Sequence, residues 1–118
     1  MSHNYRRGAD LERRAKHELL EPRPSSPALF RSDHWFAVTR VAGSKGPWDL
    51  VALGEQGALV LSVKRVSSRA RARRLLGSER RRLTRLALPP YARAAVVCWV
   101  RGYGWLTSGL VSATEENR

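Results

Sequence analysis

The stretch that decides the fold reads WDLVALGEQGALVLSVK and covers residues 48–64. Two apolar runs in it flank the segment GEQG, whose two glycines bound a turn at residues 54–57. Apolar runs of this length on either side of a glycine-bounded turn predict a β-hairpin. Its antiparallel register pairs Leu53 with Ala58, the residues next to the turn on each side.

The same register predicts where the polar side chains of the hairpin lie. Counting back from the turn places Asp49 opposite Ser62. Because side chains alternate between faces along a strand, Lys64 shares their face, and cross-strand neighbours lie roughly 5 Å apart. A carboxylate and a lysine at such a spacing are typical of a metal-assisted phosphodiester nuclease. The hydroxyl of Ser62 is not typical of such a site.

The charge of the chain points to a polyanionic partner. The 118 residues, enough for one domain, include 22 Lys and Arg against 10 Asp and Glu, a formal net charge of +12. Such a chain releases counterions on binding a phosphate backbone, so nucleic acid is the first partner to expect and an anionic membrane surface is the competing one. No apolar run is long enough to span a membrane and no signal peptide precedes the domain, so we expect a cytoplasmic protein.

The sequence before the hairpin predicts a helix and a strand. Leu11, Ala15 and Leu19 recur at four-residue spacing, which predicts a helix over residues 8–20 with one apolar stripe. A Pro- and Ser-rich connection follows over residues 21–33, and residues 35–41 predict a strand. We interpret residues 1–7 as a basic N-terminal arm.

The sequence after the hairpin predicts a second helix and two further strands. Residues 67–88 are rich in arginine and leucine and predict a helix that Gly77 and Ser78 interrupt. Strands are predicted over residues 93–100 and 105–111, and residues 112–118 as a flexible tail. Cys98 lies in an apolar run and is interpreted as a buried strand residue. The order predicts one α/β domain over residues 1–118, with a mixed central sheet of about five strands flanked by helices.

Several short motifs in the first half of the chain occur in a fixed order. They are YRRGADLER over residues 5–13, RVAGSK over residues 40–45, DLVA over residues 49–52 and VK at residues 63–64. This series resembles the archaeal-type Holliday junction resolvases of the PD-(D/E)XK nuclease superfamily, and a weaker likeness extends to the Gly-Trp pair at residues 104–105.

The resemblance implies a restriction-endonuclease-like core and an activity. Members of the family are homodimeric, magnesium-dependent endonucleases that cut four-way DNA junctions by paired nicks, and Mn²⁺ is expected to replace Mg²⁺. The positions that correspond to site residues of the family are the acidic Glu12 and Asp49, the catalytic lysine Lys64, the loop residue Ser44, and the basic Arg13 and Arg40.

Ser62 departs from the family pattern, which has Glu or Gln two residues before the lysine. The carboxylates of Glu12 and Asp49 and the backbone carbonyl of Val63 are enough for one Mg²⁺ ion, since this ion keeps several waters. Ser62 is then a weak, neutral ligand. Alternatively, Glu79 of the second helix supplies a migrated carboxylate; Glu55, at the far end of the hairpin, is less plausible.

Phosphate contacts are expected from basic residues outside the catalytic set. We assign this role to Arg6, Arg7, Lys45 and Arg65, beside Arg13 and Arg40, and to some arginines of the second helix. The partners implied are branched DNA and a second copy of the chain, and a membrane is not expected. For the dimer interface, the sequence suggests the apolar surface of the second helix and the tryptophans near the C-terminal strands.

Each assignment has a simpler alternative. Glu12 is otherwise a solvated helical charge, Asp49 a turn residue, Lys64 a charge that protects a strand edge, and Ser44 a local cap. At the level of function, the first hypothesis is a junction-resolving endonuclease. The second is a DNA-junction-binding protein on the same scaffold that Ser62 leaves weakly active or inactive, and the third is a related nuclease acting on ordinary duplex or branched DNA.

Overall fold

The structure, a computed structural model, describes residues 2–41, 48–85 and 87–112, with side chains from residue 9 onward. These residues form two α-helices, one short 3-10 helix at Ala28–Arg31 and six strands. In chain order the main elements are α1 (Ser2–Leu20), β1 (Trp35–Arg40), β2 (Leu50–Gly54), β3 (Gly57–Val66), α2 (Arg69–Leu83), β4 (Ala92–Val100), β5 (Gly104–Thr107) and β6 (Val111–Ser112).

The strands form one mixed sheet in the order β1-β2-β3-β4-β5, and β6 pairs with the other end of β4. Only β3 and β4 are parallel among the described strands, and α2 makes the crossover between them. The expected α/β class with a mixed sheet of about five strands is confirmed at this level. The hairpin register is confirmed as well, because Leu53 pairs with Ala58.

Each helix covers one face of the sheet. The predicted stripe of Leu11, Ala15 and Leu19 on α1 is buried against residues of β2 and β3, among them Leu50 and Leu61. The α2 face contributes Ala72, Leu76 and Leu83, which pack on β4 from the opposite side. The two clusters place apolar side chains on both faces of β3 and β4, which explains why these strands read as nearly continuous apolar runs.

The turn of the hairpin is held by a residue that the sequence placed in a connecting loop. The carboxylate of Asp33 accepts hydrogen bonds from the amides of Glu55 (3.0 Å) and Gln56 (2.9 Å) and from the guanidinium of Arg93 (3.3 Å). Burial acts to raise the pKa of Asp33, but these hydrogen bonds, with one from the His34 amide, lower it below its ordinary value. One carboxylate thus joins β1, the hairpin turn and β4.

Both helices differ from their predicted bounds. The first helix begins at Ser2, so residues 2–7, predicted as an arm, have helical backbone; Gly8 lowers helix propensity there by about 1 kcal/mol without ending the helix. The second runs unbroken from Arg69 to Leu83, so the predicted interruption at Gly77 and Ser78 is wrong. The Ser78 hydroxyl donates to the Leu75 carbonyl (3.0 Å) and does not cap a new helix.

The last predicted strand is divided into two. Residues 108–110 leave the ladder between β5 and β6, and the Ser108 hydroxyl accepts a hydrogen bond from the Val96 amide (3.0 Å) in place of a backbone carbonyl. Gly109 follows with φ of 77°, a conformation that favours glycine. Ser112, predicted as the start of the tail, pairs with Arg93 in β6, and residues 113–118 of that tail lie outside the described part.

Candidate nuclease site at the open end of the hairpin

Asp49 lies where the hairpin opens, immediately before the first residue of β2. Its backbone carbonyl accepts a hydrogen bond from the Val41 amide (2.9 Å), and its own amide donates to the Leu61 carbonyl (2.9 Å). The sequence predicts that Asp49 pairs directly with Ser62. Asp49 does not form this pair, because it does not continue the ladder. The pairing deviates here because the Asp49 amide bonds to the carbonyl of Leu61, the residue already paired with Leu50.

The carboxylate of Asp49 is fixed by a backbone donor. Its Oδ2 accepts a hydrogen bond from the Val63 amide at 2.7 Å. Strand β3 continues to Val66, past the point where β2 begins, so the carboxylate satisfies an amide that has no β2 partner. A charge-assisted bond of this kind orients the side chain beside Val63, whose carbonyl is the predicted backbone ligand.

Ser62 and Lys64 share a face of β3, as predicted. Leu61 and Val63 belong to the cluster against α1, so alternation turns Ser62 and Lys64 toward the α2 side of the sheet. Ser62 is 0% exposed, whereas Lys64 is partly exposed near the end of the strand. Ser62 thus occupies a closed position within the protein interior.

Cys98 lies near both Lys64 and Glu79, the proposed migrated carboxylate. Cys98 pairs with Lys64 across the parallel strands, and burial raises the pKa of its thiol to about 11. The positive charge of Lys64 acts to lower that pKa and the negative charge of Glu79 to raise it further, so both groups lie on this side of the sheet. At that pKa the thiol is protonated at neutral pH, as the interpretation of Cys98 as a buried strand residue requires.

The two other candidate carboxylates have partners in the structure. Glu79 accepts a hydrogen bond from Arg82 Nε at 2.7 Å, and its side chain is 17% exposed. Glu55 lies 3.5 Å from His34 Nδ1 at the turn of the hairpin, the end opposite to Asp49. Glu79 therefore remains the better-placed of the two, although an arginine neutralises it.

Glu12 forms an ion pair on the other side of the sheet. Its Oε1 lies 3.0 Å from Arg40 Nε, with the side chain of Glu12 21% exposed. Arg40 pairs with Leu50, a residue of the α1 cluster, so this ion pair faces α1 whereas Lys64 faces α2. Glu12 is thus more than a solvated helical charge, because it joins α1 to the end of β1.

Basic side chains surround this ion pair. A surface depression is lined by Arg13, Lys16, His17, Leu20 and Arg40. Arg13 also forms an exposed ion pair of 3.0 Å with Asp10. Two predicted DNA contacts, Arg13 and Arg40, are therefore brought together.

Other predicted site residues fall outside what the structure describes. Ser44 and Lys45 lie in residues 42–47, which are not described, and the side chains of Arg6 and Arg7 are not described either. Arg65 is described and exposed at the end of β3, in a cavity that also contains Arg101. Arg101 was not predicted as a site residue, although the glycines at positions 102 and 104 that follow it are typical of a surface turn.

The available ligands fit a magnesium ion by their chemistry. Asp49 and Glu12 offer carboxylate oxygens and Val63 a carbonyl, which are the hard donors that Mg²⁺ prefers. Within residues 2–41, 48–85 and 87–112, no group of three His, Cys, Asp or Glu side chains is close enough to hold a metal ion.

No family model matches the sequence, and no curated protein matches it. Among the described helices, none combines the length and apolar character needed to cross a bilayer.

Proposed function

We propose that this chain is a magnesium-dependent DNA endonuclease, selective for four-way junctions and active as a homodimer. The observation that carries the proposal is the carboxylate of Asp49, held at 2.7 Å by the Val63 amide at the open end of the hairpin, one residue before Lys64. The net charge of +12 supports a phosphate backbone as the substrate. The order of the sequence motifs supports a four-way junction as the form of the DNA substrate.

In this proposal each residue has one task. Asp49 and Glu12, with the Val63 carbonyl, would hold a Mg²⁺ ion, which would supply an activated water and neutralise charge on the phosphate. The Val63 amide keeps the Asp49 carboxylate oriented. Lys64, on the α2 side of the sheet, stabilises charge that develops on the phosphoryl oxygens. Arg40 neutralises Glu12 in the free protein, and its guanidinium would be available to the DNA backbone if Glu12 held a cation.

The dimer contact in this proposal differs from the one suggested by the sequence. Leu76 and Leu83 of α2 are buried within the chain, and Trp99 and Trp105 are partly buried against the α1 cluster. The exposed large apolar side chains include Phe36 (59%) on the edge strand β1 and Leu53 (45%) on β2. We therefore place the two-fold contact at this edge of the sheet, where an unpaired strand and apolar side chains coincide.

A second function, junction binding without efficient cleavage, is favoured by Ser62. Ser62 is fully buried. Its hydroxyl stands where the family that the sequence resembles has Glu or Gln. The ion pair of Glu12 with Arg40 also lowers the negative charge available to a cation. Both observations concern the metal site alone, so this alternative retains the same DNA partner.

The test is the variant Asp49→Asn. Removing the charge should abolish cleavage of a labelled junction, since the amide is a poor Mg²⁺ ligand. It should leave junction affinity equal or higher because the carboxylate repels the backbone when no metal is bound. The matched control is Asp10→Asn, an exposed carboxylate on α1. Equal cleavage by the Asp49→Asn variant and wild type would refute the proposed role of Asp49.

A further inference from the structure

A second basic cavity lies at the C-terminal ends of β3 and β4. It is lined by Arg65, Val66, Ser67 and Arg101. Because β3 and β4 are parallel, their C-terminal ends meet at one edge, and the pairing of Val66 with Val100 brings Arg101 beside the end of β3. The topology thus joins two arginines that are far apart in the sequence.

The charge of this cavity is not compensated within the described chain. No Asp or Glu lines it, and within residues 2–41, 48–85 and 87–112 the side chains of Arg65 and Arg101 form no hydrogen bond and no ion pair. Neighbouring arginines differ, since Arg69 stacks on Tyr103 at 4.8 Å and Arg14 pairs with Glu18 at 3.1 Å. Two guanidinium groups facing one cavity repel each other unless an anion lies between them.

We infer that this cavity binds a phosphate group of a nucleic acid strand. Guanidinium groups present forked donors that match two phosphate oxygens, and the exposed Ser67 contributes a hydroxyl donor beside them. The inference rests on the proposed function for its partner but adds a contact away from the cleavage site. Phosphate contacts of this kind fix the register and orientation of the nucleic acid.

The position of the cavity specifies which phosphate it takes. Arg65 follows Val63, the residue that holds the Asp49 carboxylate, by two residues on an extended strand, a separation of about 7 Å along β3. The rise of B-DNA is about 3.4 Å per base pair, so the cavity lies about two steps from the phosphate at the hairpin opening. The bound phosphate is therefore not the one that is cut. The cavity holds a flanking part of the same nucleic acid molecule. The contact sets the distance between the bound phosphate and the phosphate that is cut.

The experiment measures junction affinity by fluorescence anisotropy over a series of NaCl concentrations. Arg101→Gln should weaken binding about tenfold at low salt and reduce the slope of log affinity against log salt by about 0.9, the value for one lost phosphate contact. The control Arg85→Gln removes the same charge from an exposed residue just beyond the far end of α2, about 20 Å from Arg69. It should change affinity less than threefold.

Two further measurements locate the effect. Inorganic phosphate added to the ¹⁵N-labelled protein should shift the amide signals of Ser67 and Arg101 first, and circular dichroism should show that both variants are folded. Arg101→Lys should recover only part of the affinity, because an ammonium lacks the planar fork.

The outcomes separate this inference from the proposed function. Equal weakening by Arg101→Gln and Arg85→Gln would mean that net charge alone acts, which overturns the cavity as a site. Unchanged binding by Arg101→Gln, with wild type still cutting junctions, overturns the inference and leaves the nuclease intact. A wild-type protein that binds no nucleic acid overturns both.

Discussion

Replacing Glu18 by alanine tests whether a buried carboxylate holds α1 to the C-terminal strands. The carboxylate is 5% exposed and accepts hydrogen bonds from the Ser26 hydroxyl (2.7 Å), Arg14 Nε (3.1 Å) and Trp105 Nε1 (3.2 Å). Three segments of the chain therefore meet at one side chain. None of these contacts followed from the sequence, in which Glu18 reads as an ordinary charge near a helix end.

The expected loss of stability follows from the donors that Glu18→Ala leaves unpaired. Ser26 is 3% exposed, and the Trp105 indole is half-buried, so each lost bond costs about 1–3 kcal/mol. Arg14 is half exposed and returns to water, so its ion pair adds little. The sum is about 3 kcal/mol, which lowers the melting temperature by roughly 10 °C for a domain of this size.

Acidification provides a second readout of the same contact. Burial acts to raise the pKa of Glu18, but the hydrogen bonds from Ser26, Trp105 and Arg14 outweigh it and lower the pKa below the ordinary value of 4.5. A lowered pKa means that ionised Glu18 stabilises the fold above pH 4.5 and that this contribution disappears as pH falls through the folded value. The stability difference between wild type and Glu18→Gln should therefore shrink below pH 4.5.

Urea denaturation followed by circular dichroism measures both effects. The control is Glu21→Ala, which removes an exposed carboxylate just after the same helix. A Glu18→Ala variant within 0.5 kcal/mol of wild type, about the change typical of surface substitutions, would refute the buried-network account. So would a stability difference for Glu18→Gln that does not depend on pH.

Three other predictions concern the turn, the dimer and the metal site. Asp33→Asn should lower the urea midpoint at pH 7 and less so at acidic pH, since its lowered pKa stabilises the fold only while it is ionised; an unchanged midpoint would contradict this. Phe36→Lys should convert a dimer to a monomer in sedimentation velocity, and a persisting dimer would move the interface elsewhere. Ser62→Glu should lower the Mg²⁺ concentration for half-maximal cleavage if Ser62 is a weak metal ligand. If Glu79 is the ligand instead, Glu79→Gln should strongly reduce cleavage.

The hairpin was predictable because its determinants are local. Glycines at the turn fix the register of the hairpin, and the apolar run from Leu50 to Leu53 needs no distant contact to be recognised as a strand. The stripe of Leu11, Ala15 and Leu19 likewise specifies which face of α1 is buried. Periodicity and turn chemistry were sufficient for these elements.

The contacts between distant segments were not predictable. Asp33 binds the hairpin turn more than 20 residues later, and Arg40 pairs with Glu12 across 28 residues. Neither pairing follows from a local pattern, because each depends on how α1 and β1 are placed against the sheet. The deviation at Asp49 has the same cause, since β3 extends past β2 and leaves the Val63 amide to a side chain.

The measurement that tests the central claim most directly is cleavage of an end-labelled four-way junction, with a matched linear duplex as the control. Wild-type protein with Mg²⁺ should produce paired nicks in opposite strands of the junction, none in the duplex, and none in either when a chelator replaces the metal. A protein that binds the junction without cutting it in Mg²⁺ or Mn²⁺ would contradict the nuclease and support junction binding alone. Cleavage of the junction that persists in chelator would contradict the metal-dependent mechanism itself.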